Sequence, residues 1–190
     1  MVSPEAEARI KRLRFDTGAA WLDLIATVGN AYGTAPVERL SSVTRFREWL
    51  NAEDLLPESD PTEGDLARAR ILREALRSLA LATVRLEPFP QDAVDRVNEF
   101  LTEDRTLVLA TESGGLQVRR PPDGQAALGR IARQAADQLA GRSASMLRTC
   151  ADPVCGLLFL DPSGRRVWCA TEICGVRHRV REHRRRKASE

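Results

Sequence analysis

Histidine and lysine are nearly missing from this chain: its 190 residues hold only His178 and His183, Lys11 and Lys187. A histidine-dependent catalytic triad would have to recruit its base from the arginine-rich tail where both histidines lie. The glycine-bearing stretches "TGAAW" and "SGGLQ" lack a phosphate-loop pattern. The protein is therefore expected not to be an enzyme. Long apolar runs are missing as well. No stretch approaches the roughly eighteen apolar residues of a membrane span, and "MVSPEAEARIKRLRF" has no apolar core of signal-peptide length. A cytoplasmic protein with no membrane partner is the simplest expectation. In that reducing compartment cysteines hold a metal more often than they form disulfides. The scarcity of lysine leaves nearly all positive charge on arginine, whose planar forks suit phosphates and guanine edges.

Hydrophobic residues make up 43% of the chain and charged residues 29%, a balance that excludes wholesale disorder and predicts a folded core. The net charge of +2 hides an asymmetry. Residues 1–146 carry 19 Arg and Lys against 22 Asp and Glu, whereas residues 147–190 carry 10 against 5. A cationic end of this kind points to a polyanionic partner. The expected organisation is a helical domain over 1–146 followed by a small module over 147–190.

Periodicity predicts mainly α structure upstream. Residues 17–31 read as a short apolar helix, and 41–55 as a second with Phe46, Trp49 and Leu50 facing inward. A long helix is expected after Asp60 as its cap and Pro61 as its first residue, with Leu66, Ala69, Leu72, Leu76, Leu79 and Val84 on its inner stripe. Residues 91–102 predict another helix, with Val94, Val97 and Leu101 inward. "TLVLATESGGLQVRR" reads as a hairpin turning at Ser113, Gly114 and Gly115, and a last helix should run from Gly124 to Leu139 and stop at Gly141.

The four cysteines, Cys150, Cys155, Cys169 and Cys174, form C-x4-C-x13-C-x4-C. Two close pairs around a hairpin-sized insert suit a tetrahedral thiolate site for zinc, each pair making one edge. Two disulfides or four unpaired thiols are the alternatives. Within the insert, "GLLFLDPSGRRVW" predicts a strand, a DPSG turn and a return strand ending at Trp168. Arg148, Arg165, Arg166 and Arg177 lie close enough in sequence to compensate the thiolate charge. His178 could approach the metal on a continuous helix, although four thiolates already fill a structural site; His183 reads as a surface or interface residue.

After Cys174, "GVRHRVREHRRRK" has helical length. Arg177, Arg181, Arg184 and Arg185 share one broad face as candidate nucleic-acid contacts, and Val176, Val180 and His183 make a narrow stripe expected to dock on protein. A helix regular from Cys174 onward would point that cysteine away from the valines, so either the helix starts later or the valines pack instead against the hairpin or the helical domain.

"LRTCADPVCGLLFLDPSGRRVWCATEICGVR" resembles the CGNR zinc finger, with Cys150, Cys155, Phe159, Asp161, Arg166, Trp168, Cys169, Cys174, Gly175 and Arg177 at the motif positions. "WLDLIATV" and "LSSVTRFREWLNAEDLL" are similar, more weakly, to the helical ABATE domain that precedes this finger. The resemblance implies a bacterial stress-response transcription regulator that holds zinc in a treble-clef-like hairpin-plus-helix module and binds double-stranded DNA. Two residues depart from the pattern: Val176 stands where the family has the Asn of Cys-Gly-Asn-Arg, and Ala26 where it has another Asn. An asparagine after glycine can cap a helix or read a base; valine does neither. A protein- or RNA-interaction module with a purely structural zinc is the competing reading. The helical domain could dimerise the protein or sense a small-molecule effector.

Overall fold

The computed structural model describes residues 12–188 except 106, 113 and 114. The chain is mainly α and forms two compact units, one from Leu40–Ala144 and the other from Met1–Arg39 together with Ser145–Glu190.

The Leu40–Ala144 unit holds α2 (Val43–Ala52), α3 (Glu63–Arg85), α4 (Gln91–Leu101), an antiparallel hairpin of β3 (Leu109–Glu112) and β4 (Gly115–Val118), and α5 (Gly124–Leu139). Side chains set the helix starts. Ser42 accepts from the Arg45 N–H, and Asp123 from the Ala126 N–H at 2.8 Å. Thr62 and Asp65 form a reciprocal capping box at the head of α3, which satisfies two otherwise orphaned donors. The cap is thus Thr62 and not the expected Asp60, whose carboxylate pairs instead with Arg47.

Helix α3 packs on both α4 and α5, and these two on each other. Phe46, Trp49 and Leu50 are fully buried as expected, with the two rings stacked at 6.4 Å between centroids. On α3 the inner stripe follows Leu66 through Leu79, while Val84 is only half-buried. On α4 the buried residues are Ala93, Val97 and Phe100, so the stripe lies one position from the expected Val94 and Leu101. Phe100 is the reason: burying its ring removes more apolar surface than burying Leu101. Gly129 allows α5 to approach the loop after α4, since a Cβ there would lie 2.5 Å from the Asp104 backbone nitrogen. Ser113 and Gly114, the expected hairpin turn, lie outside the described residues; Gly115 opens β4.

The other unit begins with α1 (Ala20–Ile25), a single apolar helical turn or so that gives way to β1 (Val28–Gly29), paired with β2 (Val37–Glu38). The expected helix over 17–31 is therefore cut short at Ile25. After a 3-10 turn over Arg142–Met146, β5 (Leu147–Thr149) pairs antiparallel with β6 (Leu158–Leu160). The expected return strand before Trp168 does not form. β6 takes the upstream β5 as its partner, which places Leu147, Leu158 and Phe159 inside, and Val167 stays 54% exposed. A π-helical turn, Thr171–Gly175, leads into α6 (Val176–Ala188).

Compactness does not divide the chain simply at the expected boundary of residue 146, since the opening segment groups with the C-terminal one. The Leu160 N–H donates to Thr17 O at 2.8 Å, and the Ala31 and Tyr32 N–H groups donate to the carbonyls of Cys155 and Val154. Residues 12–39 thus share backbone hydrogen bonds with the cysteine-bearing segment after Ser145.

Candidate metal centre and its basic helix

Cys150, at the end of β5, and Cys155 flank a short loop whose turn is closed by the Cys155 N–H donating to Asp152 O at 2.9 Å. Gly156 follows in the left-handed region at φ +61°, where a Cβ would also fall within 2.8 Å of the Tyr32 ring; both facts call for glycine. Cys169 follows Trp168, and Cys174 sits in the π-helical turn. That wide turn lets Cys174 face the centre while α6 starts afresh at Val176, as a later helix start requires.

All four thiols are free and buried, and their sulfur atoms lie within 4.8 Å of one another, so the four can hold a metal ion. The Cys155–Cys169 and Cys169–Cys174 sulfur separations are 3.7 and 3.5 Å. Zinc–thiolate bonds of about 2.3 Å in a tetrahedron set sulfurs about 3.8 Å apart, and disulfide sulfurs lie at about 2.05 Å. The donor set fits zinc. Hydrogen bonds from Cys155, Cys169 and Cys174 push the Cys150 thiol down, while those from Cys150, Cys155 and Cys169 push Cys174 up. A dication is what allows thiols so close together to ionise alike.

The nearby positive charge differs from expectation. Arg14, from the N-terminal segment, reaches Cys169 Sγ at 4.0 Å while its fork binds Asp16. Arg39 donates to Ala26 O at 2.6 Å; burial and the Arg14 charge push its pKa down, and Cys155 and Cys169 oppose that. Arg177 Nη2 donates to Cys174 Sγ at 3.6 Å. Of the arginines near in sequence, Arg148 turns to the Ser145 and Leu147 carbonyls. The Arg165 backbone N–H donates to Ser163 Oγ within the DPSG turn. Arg166 lies over the Phe159 ring at 4.4 Å and donates to Cys169 O. Asp161 organises that turn by accepting from Ser163 Oγ and from the Ser163 and Arg166 N–H groups, which holds its carboxyl below the usual range.

Asp152, in the loop between the first two cysteines, was not singled out by the sequence. Its carboxylate is fully buried and takes two arginines of α6: Arg177 Nε lies 3.2 Å from Oδ2 and Arg181 Nη2 3.0 Å from Oδ1. Arg177 also donates to Asn30 Oδ1 at 2.9 Å. A short acid between cysteines, with arginines four apart on the following helix, was the available signal. The four arginines expected to share one open face are therefore divided. Arg177 and Arg181 turn inward, Arg184 is exposed, and exposed Arg185 pairs with Glu182 at 3.2 Å. The valine stripe is reversed from expectation: Val176 and Val180 are 39% and 43% exposed. The inward side of α6 is taken by the two ion pairs, and His178, itself exposed, rests its ring 5.0 Å from that of Trp168. His178 is not among the four groups that can hold the metal.

A helical body joined to a four-cysteine centre that launches a basic helix defines a zinc-finger protein. The CGNR zinc finger model matches residues 146–187, and the ABATE model, described as "Putative stress-induced transcription regulator", matches residues 18–142. The chain belongs to this ABATE and CGNR zinc-finger family, and its cofactor is zinc. Among curated proteins, no relative matches the chain. No helix among the described residues is long and apolar enough to cross a membrane.

Proposed function

We propose that this protein is a bacterial, cytoplasmic transcription regulator of a stress response, that it binds duplex DNA through α6, and that it is not an enzyme. The observation carrying the reading is α6 itself: its 13 residues hold seven Arg and Lys against the single acid Glu182, and its first turn is held through Arg177 by Asp152 and Asn30. At about 1.5 Å per residue such a helix is about 20 Å long, enough to follow a groove.

Zinc bound by Cys150, Cys155, Cys169 and Cys174 would supply a structural cross-link, with a full set of protein ligands. The residues of the chain do the rest. The Asp152 carboxylate sets the angle of α6 by holding Arg177 and Arg181, and Asn30 adds a second anchor on Arg177. Past this clamp Arg184 and Arg185 are exposed, Arg185 beside Glu182. Arginines of a helix held in this way lose less freedom on binding than those of a frayed tail.

The test measures duplex affinity at stepped salt for zinc-loaded wild type and for Arg184→Gln/Arg185→Gln, with double-stranded RNA in parallel. The log–log slope should fall by about 0.9 for each phosphate no longer neutralised, with zinc content unchanged. Unchanged affinity and slope in the variant would overturn the reading, and stronger binding to RNA would favour the RNA-module alternative.

A further inference from the structure

We infer that α6 reads DNA with the side that adjoins its clamp: Val176 and Val180 meet thymine methyl groups on the floor of the major groove, and Arg179 and Arg184 hold the flanking backbone. This rests on the duplex-binding reading proposed above and adds to it the recognition face and the chemistry recognised.

The clamp fixes the rotation of the helix. Arg177 and Arg181 point to Asp152, and His178 lies against Trp168, so one side of α6 is spent on the finger. Helical spacing places Val176, Val180 and His183 at i, i+4 and i+7 on a row about 100° round the helix from the clamp, with Lys187 continuing it. Arg179 flanks the row on one side and Arg184 on the other, both exposed. Glu182, the only acid of the helix, lies off this face.

Valine is a poor choice for the open surface of a helix, being β-branched and apolar. Two of them in line, exposed amid cations, suit a partner that is anionic at its rim and apolar at isolated points. The major groove of B-DNA is such a surface: it admits an α-helix between phosphate backbones, and its apolar feature is the thymine C5 methyl. The deep, narrow groove of A-form RNA does not admit a helix. Two valines bury too little for a membrane interface to be the occupant.

The experiment uses the full zinc-loaded chain. A preferred duplex is selected from a random pool, and each thymine is replaced in turn by deoxyuridine, which removes only the methyl group. Affinity should fall about fourfold for each contacted methyl. Val180→Ala should abolish that loss at one of these positions while zinc content and salt dependence stay unchanged. Equal affinity for thymine and uracil at every position would overturn the inference, as would a methyl effect surviving in both Val176→Ala and Val180→Ala. If the chain binds duplex DNA with a steep salt slope but selects no sequence, the recognition face is wrong and the DNA-binding reading stands. If it binds no duplex at all, both fall together.

Discussion

Removing the Asp152 carboxylate takes a shared anion from Arg177 and Arg181 at once. Both guanidinium groups keep more than a third of their side-chain surface in water, so they can rehydrate when released. The loss in Asp152→Ala should therefore stay near that of a charged hydrogen bond, about 1–3 kcal/mol, below that of a fully buried ion pair. Urea denaturation of zinc-loaded protein measures it, and faster amide exchange along α6 should accompany it. Asp23 gives a second prediction at this scale. Burial raises its pKa to about 6, against the opposing hydrogen bond from the Thr17 N–H. A carboxyl whose folded pKa lies above its unfolded value binds more protons in the folded state. Its contribution is complete below about pH 4 and is lost as pH rises through about 6. Asp23→Asn keeps an oxygen for Thr17 and should remove this decline, so that the gain over wild type grows from pH 4.5 to pH 7.5. Denaturation midpoints at the two pH values check it. The cysteine quartet was legible because its ligands come in close pairs around an insert of fixed size. Arg14, Arg39 and Asn30 were not, since more than a hundred residues separate them from the finger and no local pattern records that approach.

Among the elements, helices are more legible in the sequence than the short strands and turns between them. Apolar periodicity located α2, α3 and α5 because each buries one continuous face. On α4 the choice between neighbouring stripes depended on which ring found a cavity, and that is decided by tertiary packing. The partner of β6 was missed for a similar reason: "RRVW" has the length of a return strand, but Leu147 offers an apolar residue to the inner face that Arg165 and Arg166 cannot. A prediction concerns the closeness of α5 to the loop after α4. In Gly129→Ala the added methyl meets the backbone of Asp104, which cannot rotate aside as a flexible side chain would. The unit should lose about 1–3 kcal/mol, seen as a lower thermal midpoint of the helical signal.

At the scale of the whole chain, metal removal should separate the two units. The zinc centre lies in the small core formed by Ala26, Leu157, Phe159 and Ala170 with the cysteines, so residues 12–39 lose their packing when the finger does. The Leu40–Ala144 unit has its own buried aromatic and leucine core and should persist. A strong chelator is expected to shift the fluorescence of Trp21 and Trp168 to the red, leave Trp49 buried, and spare most of the far-ultraviolet helical signal. Single-tryptophan variants distinguish the three. Loss of the entire helical signal would show that the two units share their stability.

The pairing of residues 12–39 with the finger also fixes an order of events during synthesis. A ribosome delivers the first partner of this unit long before the second, with the whole Leu40–Ala144 unit emerging between them. That intervening unit has the contacts to fold as soon as it is out, whereas the opening segment must wait unpaired until the last cysteine has left the tunnel. Metal capture is then the closing act of folding, and residues 12–39, made well before their partner, stay open to proteases and chaperones until it arrives.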